Sequence, residues 1–179
     1  MSKKVGILVG SLRKDSYTKF IAKEAAKLFP SDVNVEFVEV AHLPFFNQDF
    51  EDPATAPESH TAFRKQIEGL DGFIFATPEY NRSYTPSLKN ALDIASRPYG
   101  SSKWNGKPFA ILSVSPGAIG GFGANHHLRQ VLMFLNMNPV QQPEAYIGNV
   151  TELIDDQGKL KADTVAFLQS IVDALVQKL

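Results

Sequence analysis

Three short apolar runs, none of which alternates with polar residues, constrain the fold of this chain more than any other feature. They cover residues 5–9 (VGILV), 72–77 (GFIFAT) and 109–114 (FAILSV). Such runs are typical of strands in a parallel sheet that is covered on both faces. Each run is followed by loop residues and then by apolar residues at helical spacing. This alternation predicts an α/β fold, a doubly wound parallel sheet with helices on both faces.

Weaker patterns complete the predicted sheet. Residues 33–40 (VNVEFVEV) alternate apolar and polar residues, which favours a strand nearer the sheet edge. A fifth strand is expected near residues 139–146, where Pro139 and Pro143 weaken the pattern. Helices are expected between the strands and over the last residues of the chain. We therefore predict about five strands and five helices in a single domain, residues 1–179.

The composition excludes several classes of protein. The 18 basic and 19 acidic residues leave a net charge of −1 without long charged blocks, so neither nucleic acid nor an anionic membrane is an expected partner. The chain has no cysteine, which excludes disulfides and thiolate metal sites and fits a cytoplasmic protein. No apolar stretch reaches the roughly 20 residues that span a bilayer, and the first apolar run is too short for a signal peptide. The adjacent His126 and His127 point to different faces of a helix, so no metal site is expected.

The loop after the first apolar run, residues 10–18 (GSLRKDSYT), is suited to an anion. It places hydroxyls and two cations at a predicted helix N-terminus, where N–H groups are unpaired and the helix dipole is positive. Gly10 is expected to let a ligand approach the backbone, and the guanidinium of Arg13 presents a planar fork of donors. The alternative is a plain helix cap, with Ser16 or Asp15 as the cap and Arg13 solvated. The common nucleoside-triphosphate and dinucleotide fingerprints are absent.

The loops after the other two apolar runs are suited to a planar ring. Residues 78–83 (PEYNRS) offer the aromatic face of Tyr80 and backbone groups for a ring edge. Residues 115–123 (SPGAIGGFG) contain four glycines, which allow close approach and donation of N–H groups. Ligands of such sheets bind outside the carboxyl ends of the strands, so the three loops are expected to surround one site. A phosphate joined to a planar heterocycle fits them, and flavin mononucleotide (FMN) is the economical candidate.

Four segments carry a resemblance to a known family: GSLRKDS at 10–16, LPFFNQD at 43–49, PEYNRSYTPSLKNALD at 78–93, and the loop at 115–121. They resemble the NADPH-dependent FMN reductase family, which includes chromate-, quinone- and azo-reducing flavoproteins. The resemblance covers most of the chain and implies a flavodoxin-like, five-stranded sheet of order 2-1-3-4-5. The family commonly carries Asn where this chain has Thr18, whose hydroxyl can also donate to a phosphate.

The resemblance also implies which residues bind FMN. Those implied to hold the phosphate follow the first strand: Ser11, Arg13, Ser16, Tyr17 and Thr18. Those implied to line the flavin ring follow the other two apolar strands: Pro78, Glu79, Tyr80, Asn81, Ser115, Gly117, Gly120 and Gly121. Hydride can pass from nicotinamide to flavin without a general acid, so no side chain is assigned as catalytic. The carboxylate of Glu79 is interpreted as structural or as part of an interface.

The activity that the resemblance implies is that of an NAD(P)H-dependent oxidoreductase with a ping-pong mechanism. NADPH or NADH would reduce FMN and leave, and a small-molecule acceptor such as a quinone, an azo compound, free flavin or a metal oxyanion would follow. Homodimers or homotetramers are implied, with Phe45, Phe46 and the helix after Ser83 near the contacts. The alternative is a flavodoxin-type electron carrier without a nicotinamide site, which the near-neutral charge argues against. A regulatory nucleotide-binding module stays open.

Overall fold

The computed structural model describes residues 2–179, and in them a six-stranded parallel sheet forms the centre of the molecule. The strands are β1 (Lys3–Val9), β2 (Val33–Val38), β3 (Gly72–Thr77), β4 (Pro108–Val114), β5 (Asn138–Pro139) and β6 (Ala145–Ile147). They lie in the order β2-β1-β3-β4-β5, with β6 also paired to β4. The flavodoxin-like order that the resemblance implied is confirmed.

The predicted fifth strand is divided in the structure. β5 pairs with the start of β4 and β6 with its end, so that Asn138 lies beside Pro108 and Ala145 beside Leu112. Proline has no backbone N–H to donate to a strand ladder, and Pro139 and Pro143 lie at the end of β5 and between the two strands. The sheet edge next to β4 therefore consists of two short pieces rather than the single strand predicted for residues 139–146.

Five α-helices cover the two faces of the sheet within the described residues. They are α1 (Tyr17–Ala26), α2 (Glu58–Glu68), α3 (Pro86–Ala95), α4 (Phe122–Phe134) and α5 (Ala162–Val176). One buried cluster contains Ile21 of α1 and Leu168 of α5, and the other contains Phe63 of α2, Leu88 of α3 and Leu128 of α4. Every residue of β3 and β4 is buried between them, as the unbroken apolar runs predicted. Apolar burial of this kind is the main contribution to stability.

The carboxyl ends of β1, β3 and β4 lie at one edge of the sheet because the strands are parallel and in register. The ladder continues one residue past β1, where Gly10 N donates to Ala76 O over 2.8 Å. A Cβ on Gly10 would lie 2.3 Å from Thr85 Oγ1 and 2.9 Å from Leu88 Cδ1. The glycine is therefore required by the packing of α3 against this strand end. Gly10 also lines a cleft beside this strand end, so the expected approach of a ligand to its backbone stays a prediction.

Candidate active site at the carboxyl edge of the sheet

A cleft of about 540 Å³ lies between the loops that follow β1, β3 and β4. The cleft is lined by Ser11, Arg13, Ser16, Tyr17, Thr18, Pro78, Glu79, Tyr80, Val114, Ser115 and Pro116. The tertiary structure thus brings together the three loops that the sequence assigned to a single site. Val114 and Pro116 line the cleft although the sequence did not predict them. They lie on either side of Ser115, which was predicted.

The start of α1 forms one end of this cleft. Ser16 is the N-cap residue, and its Oγ accepts a hydrogen bond of 3.1 Å from Lys19 N. The plain helix cap is thus realised by Ser16 and not by Asp15. A hydroxyl that accepts one hydrogen bond can still donate its own proton, and the N–H groups of Tyr17 and Thr18 have no acceptor within the helix. Capping and binding of an anion are therefore compatible here.

The electrostatics at this end of the cleft also favour an anion. The first turn of α1 contains no acidic residue, so the positive end of its dipole is not neutralised by the helix itself. Arg13 is exposed, and the ion pairs found in residues 2–179 do not include it. Its guanidinium is available for a charge-assisted hydrogen bond to a phosphate. The hydroxyls of Ser11 and Ser16 lie in buried residues beside it.

The loop after β3 forms a two-residue hairpin. Tyr80 N donates to Ser83 O over 2.8 Å, and Ser83 N donates to Tyr80 O over 3.0 Å. The two residues between them, Asn81 and Arg82, have φ angles of 51° and 66°. Asparagine tolerates this left-handed conformation, whereas arginine adopts it at a cost. Tyr80 lines the cleft but Asn81 lies at the hairpin tip outside it, so the contact of Asn81 with a ring edge stays a prediction.

The carboxylate of Glu79 connects this loop to α4. Its Oε2 accepts a hydrogen bond of 3.0 Å from Ala124 N in the first turn of α4, and its Oε1 lies 3.3 Å from Nη1 of Arg82. The side chain is only 15% exposed. These contacts give Glu79 the structural role that the sequence interpretation favoured.

The glycine-rich loop after β4 is shaped by contacts within the protein. Ser115 Oγ accepts from Gly117 N over 3.0 Å, and Gly117 O accepts from Asn149 N over 3.3 Å. Gly120 has a φ of +63°, and a Cβ there would lie 2.5 Å from the carbonyl carbon of Tyr146. The predicted residues Gly117, Gly120 and Gly121 do not line the cleft, unlike Ser115. Contact of these glycines with a flavin ring stays a prediction.

The two adjacent histidines have separate partners. His126 Nε2 lies 2.9 Å from the hydroxyl of Tyr146, and His127 Nδ1 lies 3.2 Å from Ser83 Oγ. Burial, together with a hydrogen bond to Glu144, raises the pKa of Tyr146 to about 12. Across residues 2–179, no group of three or more histidine, aspartate or glutamate side chains is arranged to hold a metal ion. In the same residues, every helix is too short or too polar to span a membrane.

A second cleft, of about 640 Å³, lies on the other side of Tyr80 and was not predicted from the sequence. It runs between the loop after β1, the loop after β2 and the start of α3, and Phe45 at its rim is 77% exposed. The other two aromatic residues of the loop after β2 fold back: Phe46 packs against the core, and Phe50 packs edge-on against His60. Asn90, in the helix after Ser83 that the resemblance placed near subunit contacts, also lines this cleft.

The fold defines a flavodoxin-like α/β protein, and the cleft at its strand ends is suited to an anion. The chain belongs to the NADPH-dependent FMN reductase family, whose model matches residues 3–152. Membership makes it an oxidoreductase enzyme, with FMN as cofactor and NAD(P)H as co-substrate. The resemblance of the sequence to this family is thereby confirmed.

Individual relatives cover nearly the whole chain. A quinone reductase from Pseudomonas putida is 53% identical over 169 residues, which are 94% of this chain and 90% of that protein. A 2-hydroxy-1,4-benzoquinone reductase from a Burkholderia species is 45% identical over 174 residues, 97% and 94% of the two chains. The solved structure of FerB, a flavoenzyme NAD(P)H:(acceptor) oxidoreductase from Paracoccus denitrificans, matches with a TM-score of 0.89 at 40% identity, covering 98% of this chain and 96% of that one.

Proposed function

We propose that this chain is an FMN-containing reductase that transfers electrons from NADPH or NADH to a small acceptor of the quinone class. The observation that carries the proposal is the cleft in which the start of α1, which is suited to an anion, meets the loops after β3 and β4. Relatives named for the reduction of quinones support this class of acceptor. Azo compounds, free flavin and metal oxyanions are further acceptors to be tested.

The residues of the cleft fit FMN. Arg13 and the hydroxyls of Ser11 and Ser16 would bind the phosphate, together with the free N–H groups at the start of α1. Tyr80 would offer its aromatic face to the ring, with Pro78 and Ser115 beside it. The chemistry that bound FMN supplies here is acceptance of a hydride from reduced nicotinamide and its return to an acceptor.

The protein's own contribution is orientation and electrostatics. N–H groups of the 115–121 loop would donate to the edge of the ring on which negative charge develops during reduction. The negative charge of Glu79 is already balanced by Arg82 and by the helix start at Ala124. It would therefore oppose the build-up of negative charge on the ring only weakly. No side chain is required as an acid or base for hydride transfer.

The assembly and location of the enzyme belong to the same proposal. A homodimer or homotetramer is supported by exposed large apolar side chains, since apolar patches often mark interfaces: Phe45, Ile119, Phe122 and Phe134. The near-neutral charge supports an enzyme without a nucleic-acid partner. The cysteine-free sequence supports work in the reducing cytoplasm.

The reductase proposal is tested by anaerobic mixing. FMN-loaded protein mixed with NADPH, and separately with NADH, is expected to lose its yellow colour within seconds or less, on the order of a typical turnover. Addition of a quinone is then expected to restore the colour. If dithionite bleaches the flavin but neither nucleotide does so, the protein is an electron carrier of the flavodoxin type instead.

A further inference from the structure

We infer that Glu79 is a positioning residue of the flavin site. Its carboxylate attaches the loop after β3 to the start of α4, and so sets the distance between the two loops that receive the ring. The inference rests on the proposed function, because it concerns the geometry of the FMN site. It assigns a role in cofactor binding to a side chain that takes no part in the chemistry.

The start of α4 lacks a cap of its own. The residue before the helix is Gly121, which has a φ of +73° and no side chain that can accept a hydrogen bond. Glu79, 45 residues earlier in the chain, accepts from Ala124 N instead. A carboxylate at this place gains both a charge-assisted hydrogen bond and the attraction of the helix dipole. The glycine loop that leads into α4 is thereby held in position from β3.

The hairpin at 80–83 depends on the same attachment. Arg82 occupies the left-handed region, which is unfavourable for a residue with a Cβ, so the hairpin needs support from outside. Support comes from two contacts with α4: the carboxylate of Glu79 at one end, and His127 against Ser83 Oγ at the other. The pairing of Glu79 with Arg82 braces the hairpin itself. Tyr80, which lines the cleft, lies between these anchors.

The loop and the helix are packed closely together. A Cβ on Gly123, in the first turn of α4, would lie 2.8 Å from the carbonyl oxygen of Arg82 and 3.0 Å from Glu79 Oε2. The backbones of the two segments are therefore in direct contact. Loss of the hydrogen bond between Glu79 and Ala124 would therefore move Tyr80 relative to the glycine loop. Weaker binding of the flavin ring would report this movement.

The test compares Glu79→Ala with Glu79→Gln. The alanine variant leaves Ala124 N without its acceptor, and we expect FMN binding about tenfold weaker or more, together with an altered flavin absorption spectrum. The glutamine variant keeps an oxygen that can accept from Ala124 N, and we expect it to restore most of the affinity. In the apoprotein, hydrogen exchange at the Ala124 amide should be faster in the alanine variant and close to that of the wild type in the glutamine variant.

Two further variants complete the experiment. Glu51→Ala is the matched control, since Glu51 is also a half-buried carboxylate paired with an arginine, Arg97, but it does not line the cleft. It should leave FMN affinity unchanged. Gly123→Ala keeps the carboxylate but pushes on the carbonyl of Arg82, and it should weaken FMN binding as Glu79→Ala does.

Several results would overturn the inference. Wild-type affinity in a folded Glu79→Ala variant would show that the loops hold their spacing without the carboxylate. Equal losses in the alanine and glutamine variants would assign the effect to the charge of Glu79 rather than to its hydrogen bond. Failure of the wild-type protein to bind FMN would refute the proposed function and with it the role of Glu79 in the flavin site. Unchanged exchange at the Ala124 amide in Glu79→Ala would refute the attachment even in a protein that binds FMN.

Discussion

The side chain of Asn90 in α3 holds the backbone of Phe46, with its Oδ1 accepting from Phe46 N over 2.7 Å. Its Nδ2 donates to the carbonyls of Leu43 and Pro44, each over 3.1 Å. His60 Nε2 meets the same Pro44 carbonyl at 2.8 Å. The loop after β2 is thus fixed by two buried side chains, and Phe45 is presented at the rim of the second cleft.

Asn90→Ala is expected to destabilise the fold, because it leaves the Phe46 N–H without its acceptor in a partly buried place. The free energy of unfolding should fall by about 1–3 kcal/mol, the usual cost of an unsatisfied polar group. Urea titration followed by circular dichroism measures it. Asn34→Ala, which removes only an exposed hydrogen bond to Ser2 Oγ, is the control and should change stability by less than about 0.5 kcal/mol. Equal effects in the two variants would contradict the role given to Asn90.

Arg13→Ala should weaken the binding of FMN. A charged hydrogen bond contributes about 1.5–3 kcal/mol, or roughly ten- to hundredfold in affinity. Titration with FMN measures the loss, and Lys65→Ala on the exposed face of α2 should bind as the wild type does. Riboflavin, which lacks the phosphate, should bind poorly to all three proteins. Unchanged FMN affinity in a folded Arg13→Ala variant would remove Arg13 from the phosphate site.

Gly120→Val is expected to disturb both folding and the ring end of the site. The side chain would meet the backbone of Tyr146 and Gly148, so β6 or the glycine loop must move. We expect a lower midpoint of urea unfolding, weaker FMN binding and slower flavin reduction. Gly100→Val is the matched control, since Gly100 also has a positive φ, +80°, but a Cβ there would meet no atom within 4 Å. In the control variant the free energy of unfolding should fall only by the conformational cost of the positive φ, about 1 kcal/mol or somewhat more for a β-branched residue.

Deprotonation of Tyr84 should lower the free energy of unfolding at high pH. Burial, with the nearby charge of Asp93, raises the pKa of Tyr84 to about 12, above its ordinary value of about 10. The unfolded chain therefore releases this proton first as the pH rises, and the folded state loses stability between about pH 10 and pH 12. The free energy of unfolding, measured with urea across that pH range, should decline less in Tyr84→Phe than in the wild type. Tyr99→Phe, at a residue that is 86% exposed, should decline as the wild type does.

Much of the architecture followed from local sequence, because strand and helix patterns depend on neighbouring residues. The strand at 72–77 has the predicted bounds, and the helices lie between the strands as predicted. The convergence of three loops at one edge also followed, since parallel strands direct their carboxyl ends the same way. The division of the fifth strand was signalled by Pro139 and Pro143, but its register against β4 was not.

The contacts that shape the site were decided by the tertiary structure alone. A glycine indicates that something approaches closely, yet the sequence does not say what: Gly10 meets α3 and Gly120 meets the strand containing Tyr146, and neither partner follows from the sequence. Glu79 reaches a helix 45 residues away, and no local pattern encodes so distant a hydrogen bond. Sequence determined the elements and the chemistry of their loops. The packing of those elements decided which donor meets which acceptor, because that depends on distances set only when both faces of the sheet are covered.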